Sequence, residues 1–208
     1  MQILVVSATL MEIAPFVAYN KPVDTIITGV GSPSCIYHLI KKIANSKYDI
    51  IIQAGIAGSY NLMYPPGKTV LVEKDVFADL GAIESGKYEN IFDLGLADQN
   101  ETPFTNGWLV NKNNLLKSLD LPVVDGITVN LISDDKIFTN HFLQKYNPVV
   151  ESMEGAALHY ICLQENINFL QLRTISNEVG ERDKLKWKMN EAIENLNNEL
   201  LAIVEKLS

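Results

Sequence analysis

A single α/β domain, with a central mixed and twisted sheet flanked by helices, is the fold class predicted for residues 1–208. Three observations predict it. Short apolar runs alternate with helix-length segments along the whole chain. Several of those runs are apolar on both faces, as in strands covered by helices on each side. No repeat, low-complexity tract or linker interrupts the pattern, and the length suits one domain with a sizeable core.

The elements follow in order. Residues 3–6 read as the first strand; the start M-Q-I-L-V-V-S-A has no basic region of the kind that opens a signal peptide. Residues 25–28, 50–53, 69–72, 127–131, 149–150 and 169–175 read as further strands. A short helix begins near Glu12, and residues 33–45, 111–119, 154–165 and 184–206 read as helices. The last has the clearest stripe: Leu185, Met189, Ile193, Leu196, Leu200, Ile203 and Leu207 recur every three or four residues, as in a helix packed on a sheet. Residues 77–108 are irregular, with scattered glycine, aspartate and aromatic residues, and a long loop in a compact domain is often a functional lid.

Composition narrows the function. A net charge of −8 argues against nucleic acid or an anionic membrane as the main partner. No apolar run reaches membrane-spanning length. Cys35 and Cys162 fit neither a disulfide framework nor a zinc spacing and read as reduced core thiols, as in a cytoplasmic protein. His38, His141 and His159 show no metal-ligand spacing, so no metal is expected. The only two arginines, Arg173 and Arg182, both fall in L-R-T-I-S-N-E-V-G-E-R-D, residues 172–183.

Ligands of open α/β sheets bind beyond the carboxyl ends of strands, so the residues following each strand are the candidates. Glu12 follows the first strand; it either complements a helix N-terminus or is a general base over a water. G-V-G-S (29–32) is a tight turn or a place where backbone N–H groups meet a ligand, and lacks the rest of a dinucleotide fingerprint. A-G-I-A-G-S (54–59), with Ala57 and Gly58, lets backbone approach another element or a flat ligand. S-D-D-K-I-F (133–138) comes next. In E-S-M-E-G-A-A (151–157), Glu151 and Glu154 lie at a helix start; they serve the helix dipole, or Glu154 accepts from both hydroxyls of a ribose beside Met153. Ser176 and Asn177 end the last strand, where asparagine is most simply a turn former.

Together and in order these residues resemble the nucleoside phosphorylase/nucleosidase superfamily over nearly the whole chain, most specifically in M-E-G-A-A and R-T-I-S-N. Within it the chain is most similar to the futalosine hydrolases, on F-A-D-L-G-A (77–82), E-S-M-E-G-A-A and S-N-E-V-G-E-R-D followed by Trp187. The resemblance implies a nucleoside phosphorylase-like fold, no cofactor, and hydrolysis of futalosine to hypoxanthine and dehypoxanthine futalosine in menaquinone biosynthesis. It implies that Glu12 activates the water and Glu154 holds the ribose. Met153, Ile137 and Phe138 would line the sugar and base pocket, with Phe138 backbone on the purine. Arg173 and Ser176 would support the water and the base-binding end, and Asn177 would meet the base. A homo-oligomer is implied, with a dimer as the minimal unit that completes the 5′ pocket. Ile56 departs from the methylthioadenosine nucleosidases, which place a hydroxyl residue there.

Two physical tests bear on these implications. Phosphate is best held by guanidinium forks, and no arginine precedes residue 173, which favours water as the nucleophile. Asparagine at 177 cannot act as a general acid, but its NH₂ can donate to a 6-oxo oxygen while its carbonyl accepts from a protonated N7, favouring a 6-oxopurine. The 5′ substituent would meet Phe77, Tyr88, Phe92, Phe104 or Trp108, with Arg182 either on its carboxylate or on Asp183 or Glu178. Two other readings stay open: an inosine- or methylthioadenosine-type nucleosidase or phosphorylase, and a nucleoside-binding protein without catalysis.

Overall fold

The computed structural model describes residues 1–208. Its elements run β1 (Ile3–Ser7), α1 (Leu10–Ala18), β2 (Asp24–Ile27), α2 (Ser32–Ile43), β3 (Ile50–Ser59), β4 (Thr69–Asp75), β5 (Gly81–Glu84), β6 (Lys87–Asn90), β7 (Leu109–Val110) and α3 (Leu115–Ser118). There follow β8 (Val123–Thr128), α4 (Lys136–Tyr146), β9 (Val150–Ser152), α5 (Gly155–Gln164), β10 (Asn168–Glu178), a 3₁₀ turn (Lys184–Lys186) and α6 (Met189–Leu207).

The expected mixed sheet is present, in the order β10-β4-β8-β9-β3-β1-β2, and it also closes on itself because β10 pairs with β3. β1 covers one side of β3 only over Ile50–Gln53; past that point β9 takes the vacated side at Gly58 and Ser59. On the other side β10 follows β3 in parallel from Ile50 to Ser59, with a bulge between Ile175 and Asn177. The carboxyl-terminal half of β3 is thus enclosed by β9 and β10, and the site is built there.

Period-2 alternation sorts the core into two layers. Ile3, Val5, Ile50, Ile52 and Leu172 face α1 and α6, packing on Ile13, Phe16, Leu196, Leu200 and Ile203. Leu4, Val6, Ile51 and Phe169 face α2 and α5, packing on Leu39, Leu158, Ile161 and Cys162. Both faces of β1 and β3 are therefore dry, which is why these strands read as unbroken apolar runs.

Four expectations change. A-G-I-A-G-S and Ser176-Asn177 do not follow their strands; they lie inside β3 and β10, extended by each other's pairing. The helix expected over 111–119 shrinks to the single turn α3. The helix expected over 184–206 divides: Leu185 sits in the 3₁₀ turn and is 94% exposed, and the buried stripe begins only in α6. Residues 136–146, for which the sequence predicts no element, form α4, because Asp135 accepts from Ile137 N and Phe138 N and caps the helix. Phe138, Phe142 and Tyr146, four apart, then pack that helix on Ile127 and Val129.

Candidate active site

Glu12 begins as a helix-capping residue and ends as something more specific. It stands in the first turn of α1, and its Oε2 accepts from Thr9 N at 3.0 Å, Thr9 Oγ1 at 2.9 Å and Ser7 Oγ at 3.3 Å. Oε1 accepts from Ile56 N at 3.0 Å, across to β3. Four donors thus fix a buried carboxylate, and Oε1 retains an acceptor direction for a water. The hydroxyl side chain that Ile56 lacks has no substitute at that position; its backbone N–H reaches Glu12 instead.

Glu154 is the residue from which α5 starts. Its Oε1 accepts from Gly31 N at 2.8 Å, so the G-V-G-S turn does offer a backbone N–H, and offers it to this carboxylate. Met153 anchors the same turn from the other side, its carbonyl accepting from Ser32 Oγ at 3.2 Å. Burial pushes the Glu154 carboxyl above its ordinary range, with Arg173 and the Gly31 N–H opposing the shift and Glu12 adding to it.

Arg173 is buried in the middle of β10. Its Nη2 donates to Gln53 Oε1 at 2.6 Å, and Nη1 is 4.0 Å from Glu154 Oε2. Gln53 Nε2 in turn donates to the Glu154 carbonyl at 3.4 Å. Glycine at 55 makes the arrangement possible: a Cβ there would stand 2.3 Å from Arg173 Nη1 and 3.0 Å from Glu12 Oε1. Glu12, Arg173 and Glu154 are therefore brought together over β3.

Ser176 and Asn177 lie farther along β10. Ser176 Oγ lies 2.7 Å from Asn177 Oδ1 and 3.3 Å from the Ala57 carbonyl. Asn177 Nδ2 donates to the Glu178 carbonyl at 2.8 Å. A carbonyl can only accept, so the amide orientation is dictated, leaving one N–H of Nδ2 and one lone pair of Oδ1 free. The recess in front of Asn177 is walled by Gly58, Ile132, Glu151, Val179, Arg182 and Trp187. A separate recess of about 420 Å³ around Pro103, Asn111 and Phe169 includes no carboxylate in its wall and, of the candidate residues, only Phe104.

Other expectations fare less well. Ile137 is 73% exposed, and Phe138 packs edge-on against Phe142 at 4.9 Å between ring centroids. Both of their amide hydrogens go to Asp135, so the Phe138 N–H is committed to the helix cap rather than free for a purine. Tyr88 and Trp108 are built into the packing with Phe142 and Tyr146, while Phe77, Phe92 and Phe104 border a small apolar recess of their own. Arg182 pairs with neither Asp183 nor Glu178; its guanidinium lies 5.7 Å from the Trp187 ring centroid. Asp183 caps the 3₁₀ turn through Leu185 N rather than α6.

Glu151, expected only as a helix-start charge, and Asp75, not singled out in the sequence, are both buried carboxyls. Glu151 is buried, accepts from Tyr60 Oη at 2.8 Å, and is pushed up to about 7 by burial. Asp75 lies wholly buried beneath the start of α5, where Thr128 Oγ1 donates to it at 3.0 Å and accepts from Ala156 N at 2.7 Å.

The chain is similar to several known proteins. A futalosine hydrolase of Thermus thermophilus is 31% identical over 169 residues, covering 80% of this chain and 74% of that protein. One from Acidothermus cellulolyticus is 26% identical over 190 residues, covering 90% and 77%. The solved futalosine hydrolase of Helicobacter pylori shares the fold with a TM-score of 0.81 over 99% of this chain and 98% of that one, at 14% identity. The family model of the phosphorylase superfamily matches residues 16–205, which take in every candidate except Glu12, and the chain belongs to that superfamily.

Proposed function

We propose that this protein is a purine N-ribosidase that hydrolyses futalosine to hypoxanthine and dehypoxanthine futalosine, a step of menaquinone biosynthesis. The observation that carries the choice of water over phosphate is the engagement of Arg173 with Gln53 and Glu154 in a buried position. Its guanidinium is buried, bonded to Gln53 through Nη2 and directed at Glu154 through Nη1, so it does not present a free fork to a dianion. The similarity to futalosine hydrolases supports the substrate.

The residues divide the work as follows. Glu12 orients the water through the free direction on Oε1 and takes its proton as the oxygen bonds to C1′. The C1′–N9 bond breaks with positive charge growing on the sugar and the bonding pair leaving with the purine. Glu154 accepts from the ribose hydroxyls, with Met153 against the sugar and the backbone at Ala57 and Gly58 close to the ligand. Asn177, held by Ser176, donates its free N–H to the 6-oxo oxygen and accepts from N7–H once the departing purine has taken a proton from solvent. Arg173 positions Glu154.

A homo-oligomer with a dimer as its minimal unit fits the exposed apolar side chains Leu62, Met63, Leu131 and Ile137, of which Leu62 borders a recess with Leu143 and Val179. A cytoplasmic setting fits the two free, buried cysteines. Turnover of futalosine, inosine and methylthioadenosine, followed by chromatography of the released base, tests the assignment. Hypoxanthine released from futalosine well ahead of the other two is expected; inosine or methylthioadenosine as the preferred substrate would refute it.

A further inference from the structure

Helix α5 starts at Glu154, yet the side chain of that residue does not cap it. Glu154 Oε1 is turned instead to Gly31 N at 2.8 Å, and Oε2 lies 4.0 Å from Arg173 Nη1. The residues that follow, Gly155, Ala156, Ala157 and Leu158, carry no side-chain acceptor. A helix that begins this way leaves its first N–H groups without a local partner, and a buried orphan N–H is costly. Here the sheet supplies the partners. Thr128 Oγ1, at the end of β8, accepts from Ala156 N at 2.7 Å, and Ser152 Oγ, at the end of β9, accepts from Gly155 N at 3.2 Å.

Asp75 gives the first of these bonds its direction. Its Oδ1 accepts from Thr128 Oγ1 at 3.0 Å and from Val76 N at 2.7 Å. A hydroxyl has one hydrogen; committed to Asp75, Thr128 shows only lone pairs to Ala156. Both side chains are fully buried, so bulk water does not compete for either bond. Glycine at 155 lets the helix sit directly on this group. A Cβ there would stand 2.2 Å from Asp75 Oδ2 and 2.1 Å from Gln171 Nε2.

We propose that Thr128, oriented by Asp75, is a positioning residue for Glu154: it caps α5 from the sheet and so leaves the Glu154 carboxylate free for the ribose hydroxyls. This rests on the purine nucleosidase reading above and adds to it a residue that touches no substrate. The same chain has a competing local arrangement. A carboxylate at a helix start is drawn to the N–H groups of the first turn by hydrogen bonding and by the helix dipole. Without the Thr128 hydroxyl, Ala156 N is buried and unpaired, and Glu154 is the acceptor within local reach. A carboxylate that turned to its own helix would leave Gly31 and withdraw from the sugar. Loss of one such charge-assisted bond to a ligand is worth about 10-fold or more.

The experiment compares kcat/KM for futalosine and its 2′-deoxy analogue in the wild type, Thr128→Val and Thr128→Ser, beside a crystal structure of unliganded Thr128→Val. Valine keeps the shape of threonine without the hydroxyl; serine keeps the hydroxyl. The wild type should prefer the ribo substrate by about 10-fold or more. Thr128→Val should lose most of that preference, and Thr128→Ser should keep it. In the crystal of Thr128→Val the Glu154 carboxylate should have left Gly31 N for the first turn of α5. An unchanged preference in Thr128→Val, an equal loss in Thr128→Ser, or a carboxylate still on Gly31 N overturns the proposal. If Thr128→Val does not fold, Ser152→Ala, which removes only the Gly155 bond, is read in the same two ways; an unchanged preference with Glu154 still on Gly31 N overturns it. A wild type that does not turn over futalosine refutes the substrate assignment, and the position of Glu154 in the variant crystal then decides the role of Thr128 by itself.

Discussion

Arg173 and Glu154 face one another beneath the candidate site with Nη1 4.0 Å from Oε2 and both side chains withdrawn from solvent. Arg173 also reaches Glu154 indirectly, through Gln53, which donates to the Glu154 carbonyl. An arginine in the superfamily's phosphate-using members would have to offer its fork to the ligand. Here the fork sets the position of a carboxylate that would otherwise be buried without a counter-charge.

Removing Arg173 should therefore act first on stability. A buried charge left without its partner costs about 3–5 kcal/mol, and Arg173→Met should lose stability of that order in urea denaturation. Arg173→Lys keeps the charge without the planar fork and should lose less. Equal stability of Arg173→Met and the wild type would mean that Glu154 does not depend on this pair.

Glu12 is held by four donors but should matter chiefly for chemistry. Glu12→Gln should lower kcat by about 10²- to 10⁴-fold, the usual yield of a general base, while substrate affinity stays within a few-fold. Steady-state kinetics together with equilibrium binding of unreacted substrate separates the two. Turnover close to the wild type would remove Glu12 from proton transfer.

For Asn177→Asp, the free N–H that faces the recess is lost and an acceptor replaces it. The ratio of kcat/KM for 6-amino over 6-oxo nucleosides should rise by about 10- to 100-fold, matching one mismatched polar pair of about 1–3 kcal/mol. Competition between inosine and adenosine substrates measures that ratio directly. A ratio that does not move would place base selection elsewhere.

Asp75 yields a prediction about pH. Burial raises its carboxyl from an ordinary value of 3.8 to about 6, with the nearby Gln171 amide and hydrogen bonds from Thr128 and Val76 opposing the shift. The folded state therefore favours the protonated form. Its contribution to stability is present below pH 4 and is lost as pH rises toward 6, by about 3 kcal/mol. Asparagine cannot ionise in either state. Asp75→Asn should gain about 3 kcal/mol on the wild type between pH 4 and pH 7 in paired denaturation curves, and a pH-independent difference would contradict the assignment.

Much of the fold was legible because both layers of the core leave a simple mark: Leu4, Val6 and Ile51 point one way, Ile3, Val5 and Ile50 the other, and the runs stay apolar throughout. The carboxylates Glu12 and Glu154 and the amide of Asn177 were legible as polar groups following strongly apolar strands. What was hidden depends on pairing between distant segments. Glycines at 55 and 58 read as a break, because glycine weakens a strand in isolation, yet β9 and β10 carry β3 through them. Glu151 read as a helix-start charge, since only the register of β9 against Gly58 brings it opposite Asn177. Phe138, Phe142 and Tyr146 have the spacing of a helix face, but no helix is read there from the sequence, because the turn-forming Ser133, Asp134 and Asp135 precede it.

The most direct test of the central claim, attack by water at C1′, is turnover of futalosine in ¹⁸O-enriched water with and without inorganic phosphate, followed by mass spectrometry of the sugar product. Hydrolysis predicts one ¹⁸O on the anomeric carbon and a rate indifferent to phosphate. A phosphorylated sugar without the label, formed only when phosphate is present, would contradict it.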